Sequence, residues 1–425
     1  MSGKKQYGSR VLKMAAAASA IALVLTGCAS GGGSNDADDS PIVVGNLMPL
    51  TGPLAALGTE MQQGTEIARE IVNDEGGING RQIEWQQIDA VDADAARQGA
   101  ERLANEDVQV NIGTYGSALS LAAAPVISRA GNVLVEVGAQ AMEVTTSGFP
   151  GVYRVNGHAS GQGEVAVKVA VDVVAEQLGV DPKSLKIVFA GLDTTYGKDI
   201  ANGINAELKD QGMPPLAEEF YYAGDTTDFS PIALNIQKAA PDILMAASYP
   251  ADAVALGRAM KATGFQPKAV IGTGGAHNDL PWLEAMGNDA NGVFSVGPTA
   301  TVNQDALNDE ARARTEDFHK RYEEKYGHAP GAHATMGFDG AWTAFQVLKT
   351  AKEPTAEGFE KAAKSFSLEK GSLLNGDGVK FGEDGQNELW GYSVNQWQDG
   401  VAVVVYPEAT ATGEPGYVPL PAWGQ

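Results

Sequence analysis

Short apolar runs and amphipathic helical patterns take turns along most of this chain, in two successive series. In the first, apolar runs at 42–44, 82–88, 108–112 and 133–137 are separated by helical stretches at 61–73, 93–105 and from Ser117 onward. Ile67 and Ile71, with Ala68 and Val72, recur at spacing four with Glu66, Arg69 and Glu70 between them, the pattern of a helix with one apolar face. The second series predicts helices at 163–178, 195–211, 231–239 and 251–263 between strands at 185–190, 220–223, 243–247 and 269–271. Strand and helix alternating at this spacing predict parallel sheet, because parallel neighbours need a long crossover to return to the same end. Helices at 310–326 and 331–350 and a β-rich part at 391–406 follow. At 425 residues the chain is too long for one ordinary core. The expected fold class is α/β, with two doubly wound parallel-sheet lobes.

Within the first series, the run ending at Ile112 meets Gly113-Thr-Tyr-Gly116, and Ser117 then opens a stretch of good helix formers. A strand leading through glycines into a helix puts free backbone N–H groups and a positive helix end at the carboxyl edge of a sheet. Small ligands bind at that edge of open α/β sheets, and a carboxylate is favoured there without Lys or Arg. Ser117 also suits a plain helix cap. Pro125, inside the same helical stretch, should kink it or mark where its regular part begins.

The first 27 residues read as a targeting segment, with Lys4, Lys5, Arg10 and Lys13 ahead of an apolar stretch at 14–25 that is too short to span a bilayer. Leu25-Thr-Gly-Cys28 resembles the bacterial lipobox, which implies that Cys28 is lipidated and begins the mature protein. Residues 28–40, small, polar and acidic, read as a flexible tether. The expected location is the extracytoplasmic face of the cell membrane, anchored through Cys28. Cys28 is the sole cysteine, so neither an intrachain disulfide nor a cysteine metal cluster is available.

With 30 Lys and Arg against 53 Asp and Glu, the formal charge of −23 argues against nucleic acid and against embedding in an anionic membrane surface. Catalytic signatures are missing: no HExxH, Walker loop, Gly-x-Ser-x-Gly elbow or cysteine nucleophile occurs in the body. The five histidines lack metal-ligand spacing, and His158 with Glu164 reads as a helix start. No cofactor, no metal and no enzymatic activity are expected.

Taken in order, the landmarks resemble the leucine–isoleucine–valine-binding branch of the type I periplasmic binding proteins. They are Gly45-Asn-Leu-Met-Pro-Leu-Thr-Gly-Pro53, Gly76-Gly-Ile-Asn-Gly-Arg81, Asp89, Gly113 through Ser117 with Pro125, Tyr153-Arg154, Asp193 through Gly197, and Gly337-Phe-Asp339. The resemblance, from about residue 42 to 397, implies two lobes joined by three hinge crossovers and a ligand trapped between them. Lobe 1 would be 41–156 with 298–388, lobe 2 would be 157–297 with 389–425, and the crossovers would lie near Arg154, 296–299 and 389–392. It implies ligand contacts from Tyr115, Gly116, Ser117, Gly138, Ala139 and Gln140 in lobe 1, and from Tyr196, Tyr249 and Gly274 in lobe 2. It further implies a monomeric substrate-binding lipoprotein working with ABC permease and ATPase subunits. A lipoprotein sensor presenting its ligand state to a membrane receptor fits the same sequence.

The chain departs from the branch in one respect that bears on chemistry. Amino-acid binders place an acidic residue where Gly274 stands, and aromatics are common at the positions of Leu57 and His333. A buried ammonium without a carboxylate is costly. Either Glu136, His277 or Asp193 supplies the charge, or the ligand is a carboxylate or amide without an ammonium group.

Overall fold

The computed structural model describes residues 40–274, 276, 277 and 279–424. The leader, Cys28 and all of the tether but Ser40 lie outside the described residues. Lobe 1 begins β1 (Ile42–Met48), α1 (Ala55–Asp74), β2 (Ile83–Asp89), α2 (Ala93–Asn105), β3 (Val110–Gly113), α3 (Ser117–Arg129), β4 (Val133–Glu136), one turn of α4 (Glu143–Thr146) and β5 (Val152–Arg154). Its strands pair in the order β2-β1-β3-β4-β5, all parallel. Every residue of β3 and β4 is buried, because helices cover both faces of the sheet.

Lobe 2 follows as α5 (Ala159–Val169), continued through a π-helical stretch to α6 (Glu176–Leu178), then β6 (Ile187–Leu192), α7 (Thr195–Asp210), β7 (Glu218–Tyr222) and α8 (Ser230–Ala239). It goes on with β8 (Ile243–Ala247), α9 (Pro250–Thr263), β9 (Ala269–Thr273), α10 (Leu280–Met286) and β10 (Phe294–Gly297). The chain then returns to lobe 1 for α11 (Asp309–Tyr326), α12 (Ala332–Thr350), α13 (Ala356–Ala363) and a small pair of strands, β11 (Ser367–Leu368) and β12 (Val379–Lys380). It ends in lobe 2 with β13 (Ser393–Gln398) and β14 (Val401–Tyr406). The second sheet has the order β14-β13-β10-β9-β8-β6-β7, parallel except for β13 and β14, which run antiparallel on one side. Among the described residues no helix is long and apolar enough to cross a membrane.

The core of lobe 1 draws on both ends of its sequence. Val44, Ile67 and Ile112 from the first passage pack with Phe318, Phe338 and Phe345 from the second. Helix α12 is buried on nearly every face, and Gly337 brings it against α1, since a Cβ there would strike the Met61 carbonyl. Asp339, also buried, accepts the N–H groups of Leu374 (2.9 Å) and Asn375 (3.3 Å), and burial pushes its carboxyl up to about 7. Asp89 has a comparable structural task. It accepts N–H from Leu50 (2.8 Å) and Thr51 (3.3 Å) and the Thr51 hydroxyl (2.7 Å), and so holds the loop between β1 and α1.

The crossovers are tied to one another. Arg154, fully buried at the end of β5, donates Nε to Gln386 Oε1 (2.5 Å), and Asn387 Nδ2 donates to the Val155 carbonyl (2.9 Å). Asn395 on β13 reaches the Pro298 carbonyl (3.3 Å) and accepts from the Thr299 hydroxyl (3.2 Å). His158 stands at the N-cap of α5 and accepts the Gly161 N–H at 3.1 Å, a helix start as its sequence setting suggested. Burial and the nearby Arg154 charge lower its pKa, which keeps the accepting nitrogen free of a proton.

Candidate ligand-binding site

The carboxyl ends of the strands of both lobes face one narrow cavity of about 20 Å3. Tyr115, Gly116, Ser117, Gly138 and Gln140 line it from lobe 1, and Tyr196, Tyr249 and Gly274 from lobe 2. Ala139 does not line it. Its side chain packs into the apolar cluster with Leu119 and Leu134, and its N–H goes to Glu136 (2.7 Å). Three further lining residues were not singled out as ligand contacts from sequence: Pro298 in the second crossover, and His333 and Met336 on α12. His333 had drawn notice only as a position where relatives carry aromatics.

Ser117 is not the cap of α3. Gly116 holds the N-cap position at φ 99°, and no side chain caps the helix. The Leu119 N–H turns back to the Gly116 carbonyl (3.0 Å), while the N–H groups of Ser117 and Ala118 precede the first helical hydrogen bond. The Ser117 hydroxyl accepts the Ala141 N–H (3.0 Å), which leaves its O–H available to donate. Pro125 lies within α3, which runs on to Arg129.

Glu136 does not face the cavity. It is fully buried behind the wall, where it accepts N–H from Thr114 (2.8 Å), Val137 (3.0 Å), Gly138 (2.8 Å) and Ala139 (2.7 Å) and the Ser120 hydroxyl (2.6 Å). Burial pushes its carboxyl up, against the pull of these donors. Its work is to hold the turns after β3 and β4 in place. Arg154 holds the same wall from the other side, donating Nη1 to the Ala141 carbonyl (2.6 Å). Asp193 is half exposed and paired with Lys198 (2.6 Å). His277 is buried against Trp282, and burial lowers it to about 4, so it is neutral. None of the three residues considered as a source of charge supplies a carboxylate or a cation to the cavity.

The glycine at 274 has a steric cause. Its φ is +79°, and a Cβ there would collide with the Tyr196 hydroxyl, which occupies the space a side chain would need. Tyr196 stacks on Tyr249 (6.1 Å, 12°), Tyr249 tilts against Tyr115 (6.4 Å), and Tyr115 meets the His333 ring edge-on (5.2 Å, 81°). This aromatic row runs from lobe 2 to lobe 1. Burial pushes the Tyr115 and Tyr196 hydroxyls well above their ordinary range and Tyr249 up to about 12, so all three stay protonated as potential donors.

Gln140 and Gln162 link the lobes. Gln162 Nε2 donates to Gln140 Oε1, and Gly274 N–H donates to Gln162 Oε1 (2.7 Å). The Gln140 NH2 remains available as a donor. On another side of the cleft the Met142 N–H donates to Asp199 of α7 (2.8 Å). The lobe 1 wall thus presents donors, and no Asp or Glu is among the lining residues. Among the described residues no cluster of three His, Cys, Asp or Glu side chains is placed to hold a metal ion.

The sequence profile of the periplasmic binding protein family matches residues 41–400. The chain belongs to that family. Its members are extracytoplasmic. The Leu/Ile/Val-binding protein homolog 7 of Brucella suis biovar 1 is 34% identical over 396 residues, which are 93% of this chain and 98% of that protein. Among solved structures, the leucine binding protein LivK of Thermotoga maritima MSB8 has a TM-score of 0.71 at 21% identity, covering 85% of this chain and 97% of that one. An R. palustris ABC-transporter solute binding protein in complex with benzoate has a TM-score of 0.70 at 19% identity, covering 88% and 98%. These periplasmic binding proteins share the two-lobed α/β fold described above.

Proposed function

We propose that this protein is the substrate-binding subunit of an ABC importer and traps a small carboxylate between its lobes. The observation that carries the reading is the uncapped start of α3, where unpaired N–H groups and the donor hydroxyl of Ser117 meet in a cavity walled by both lobes. Such a site favours a carboxylate through hydrogen bonds and the helix dipole together. Ligand contacts are assigned to Tyr115, Gly116, Ser117, Gly138, Gln140, Tyr196, Tyr249 and Gly274. The aromatic row suits an apolar or planar body behind the carboxylate, and the benzoate-bound relative accommodates one. Leu/Ile/Val-binding homologues support amino acids as ligands, but no Asp or Glu lines the cavity to meet an ammonium group, and Asp279 faces His333. Lipidation of Cys28, supported by its place directly after Leu-Thr-Gly, would keep the protein at the membrane beside its permease and ATPase partners.

Thermal-shift screening of the purified protein without residues 1–27 tests the reading. A bound ligand at 100 times its Kd raises stability by about 2.7 kcal/mol. Small carboxylates without an ammonium group are expected to raise the melting temperature more than Leu, Ile or Val. Ser117→Ala should weaken the best of them by about 1–3 kcal/mol in calorimetry, the cost of an unpaired charged acceptor. Submicromolar binding of leucine, or an unchanged affinity in Ser117→Ala, would contradict it.

A further inference from the structure

One buried group at the cavity has no task in the reading above. His333, the second residue of α12, lines the cavity from lobe 1. Its Nδ1 lies 3.4 Å from Asp279 Oδ1, which belongs to lobe 2 just ahead of α10. Both side chains are buried, yet neither ring nitrogen nor Asp279 Oδ2 has a hydrogen-bond partner among the described residues. Buried polar atoms are left unsatisfied rarely, and one beside a ligand cavity calls for a partner from outside the chain.

We infer that His333 is a specificity-determining residue whose Nε2–H donates to a second oxygen acceptor on the ligand, at the end away from its carboxylate. The inference rests on the carboxylate-trapping reading and adds the chemistry of the ligand's other end: an oxo or hydroxy group, or a second carboxylate, rather than a plain hydrocarbon tail. Asp279 acts as a positioning residue. It faces Nδ1 across the cleft, so Nε2 is the nitrogen left for the cavity.

The groups around the ring fix its charge. Asp279 faces it from lobe 2, Glu60 of α1 sits beside it while accepting the Ala334 N–H (3.2 Å), and Tyr115 presents a neutral ring edge. Burial disfavours the imidazolium, but Asp279 and then Glu60 outweigh it and hold the His333 pKa above the ordinary histidine value. The charged ring donates from both nitrogens. Once neutral, it keeps Nδ1–H toward Asp279, and Nε2 becomes a lone pair that repels an oxygen acceptor. The preference for a second acceptor is therefore full at low pH and fades as the pH rises past the raised histidine pKa.

Two shape-matched monoacids test this: 4-oxopentanoate, and 4-methylpentanoate, which carries a methyl group where the other has the ketone oxygen. Calorimetry of the wild type at pH 6 should show the oxo acid binding tighter by about tenfold or more, the effect of one hydrogen bond to a charged donor. The ratio should fall toward one as the pH rises, and Asp279→Asn should move that fall to lower pH. His333→Phe should remove the preference while still binding 4-methylpentanoate, which shows that its site is intact. Equal binding of the two acids by the wild type, or a preference that survives His333→Phe, overturns the inference and leaves the carboxylate reading standing. Binding of neither acid overturns both. The wild-type pH profile decides the matter if the Phe variant does not fold.

Discussion

Gly274 and Tyr196 form a pair at the level of single residues, and each explains the other. The tyrosine hydroxyl fills the volume next to the glycine, and the positive φ at 274 disfavours any side chain there. Restoring an acidic residue is consequently not a route to amino-acid binding. Gly274→Asp should lower the melting temperature, and Tyr196→Phe added to it should recover part of the loss by removing the colliding oxygen. A double-mutant cycle on thermal unfolding measures that coupling. If Gly274→Asp is as stable as the wild type, Tyr196 has room to move and the steric account is wrong. Ser117 could be read from sequence, since parallel topology sends the carboxyl ends of strands to one edge, whereas Tyr249 and Gly274 were implied only by the family resemblance. Ala139 shows the limit of that rule: it sits between two lining residues but turns inward, its N–H claimed by Glu136. His333 and Asp279 are 54 positions apart on different lobes, and no local periodicity brings such a pair together.

Among the elements, β5 and the turn after β4 are coupled through one guanidinium. Arg154 grips Gln386 and the Ala141 carbonyl, while Ala141 N–H is held by Ser117, so the cavity wall is fastened to the hinge. Burial pulls the Arg154 pKa down to about 10, which still leaves it charged at neutral pH. A lysine keeps the charge but loses the planar fork. Arg154→Lys should therefore cost roughly 1.5–3 kcal/mol in urea unfolding, about the worth of a hydrogen bond to a charged group. A loss below 0.5 kcal/mol, the scale of a bland surface change, would mean that the fork is dispensable. The alternation of strands and helices was legible because each element carries its own period. The antiparallel course of β13 and β14 was not, as a buried apolar run reads alike in either direction.

For the molecule as a whole, the contacts across the cleft make closure measurable. Met142 with Asp199, Gln140 with Gln162, and His333 with Asp279 each join one lobe to the other. Small-angle scattering should show the radius of gyration decrease when a stabilising ligand is added, through rotation about the crossovers. An unchanged radius with the site saturated would count against hinge closure. The return of the chain to each lobe has another consequence, for the order in which the protein is made. Lobe 1 lacks the centre of its core until α12 has been synthesised, and the second sheet lacks two strands until residue 406 has. Lobe 1 is thus complete only after β12, with the last two strands of the second sheet still to come.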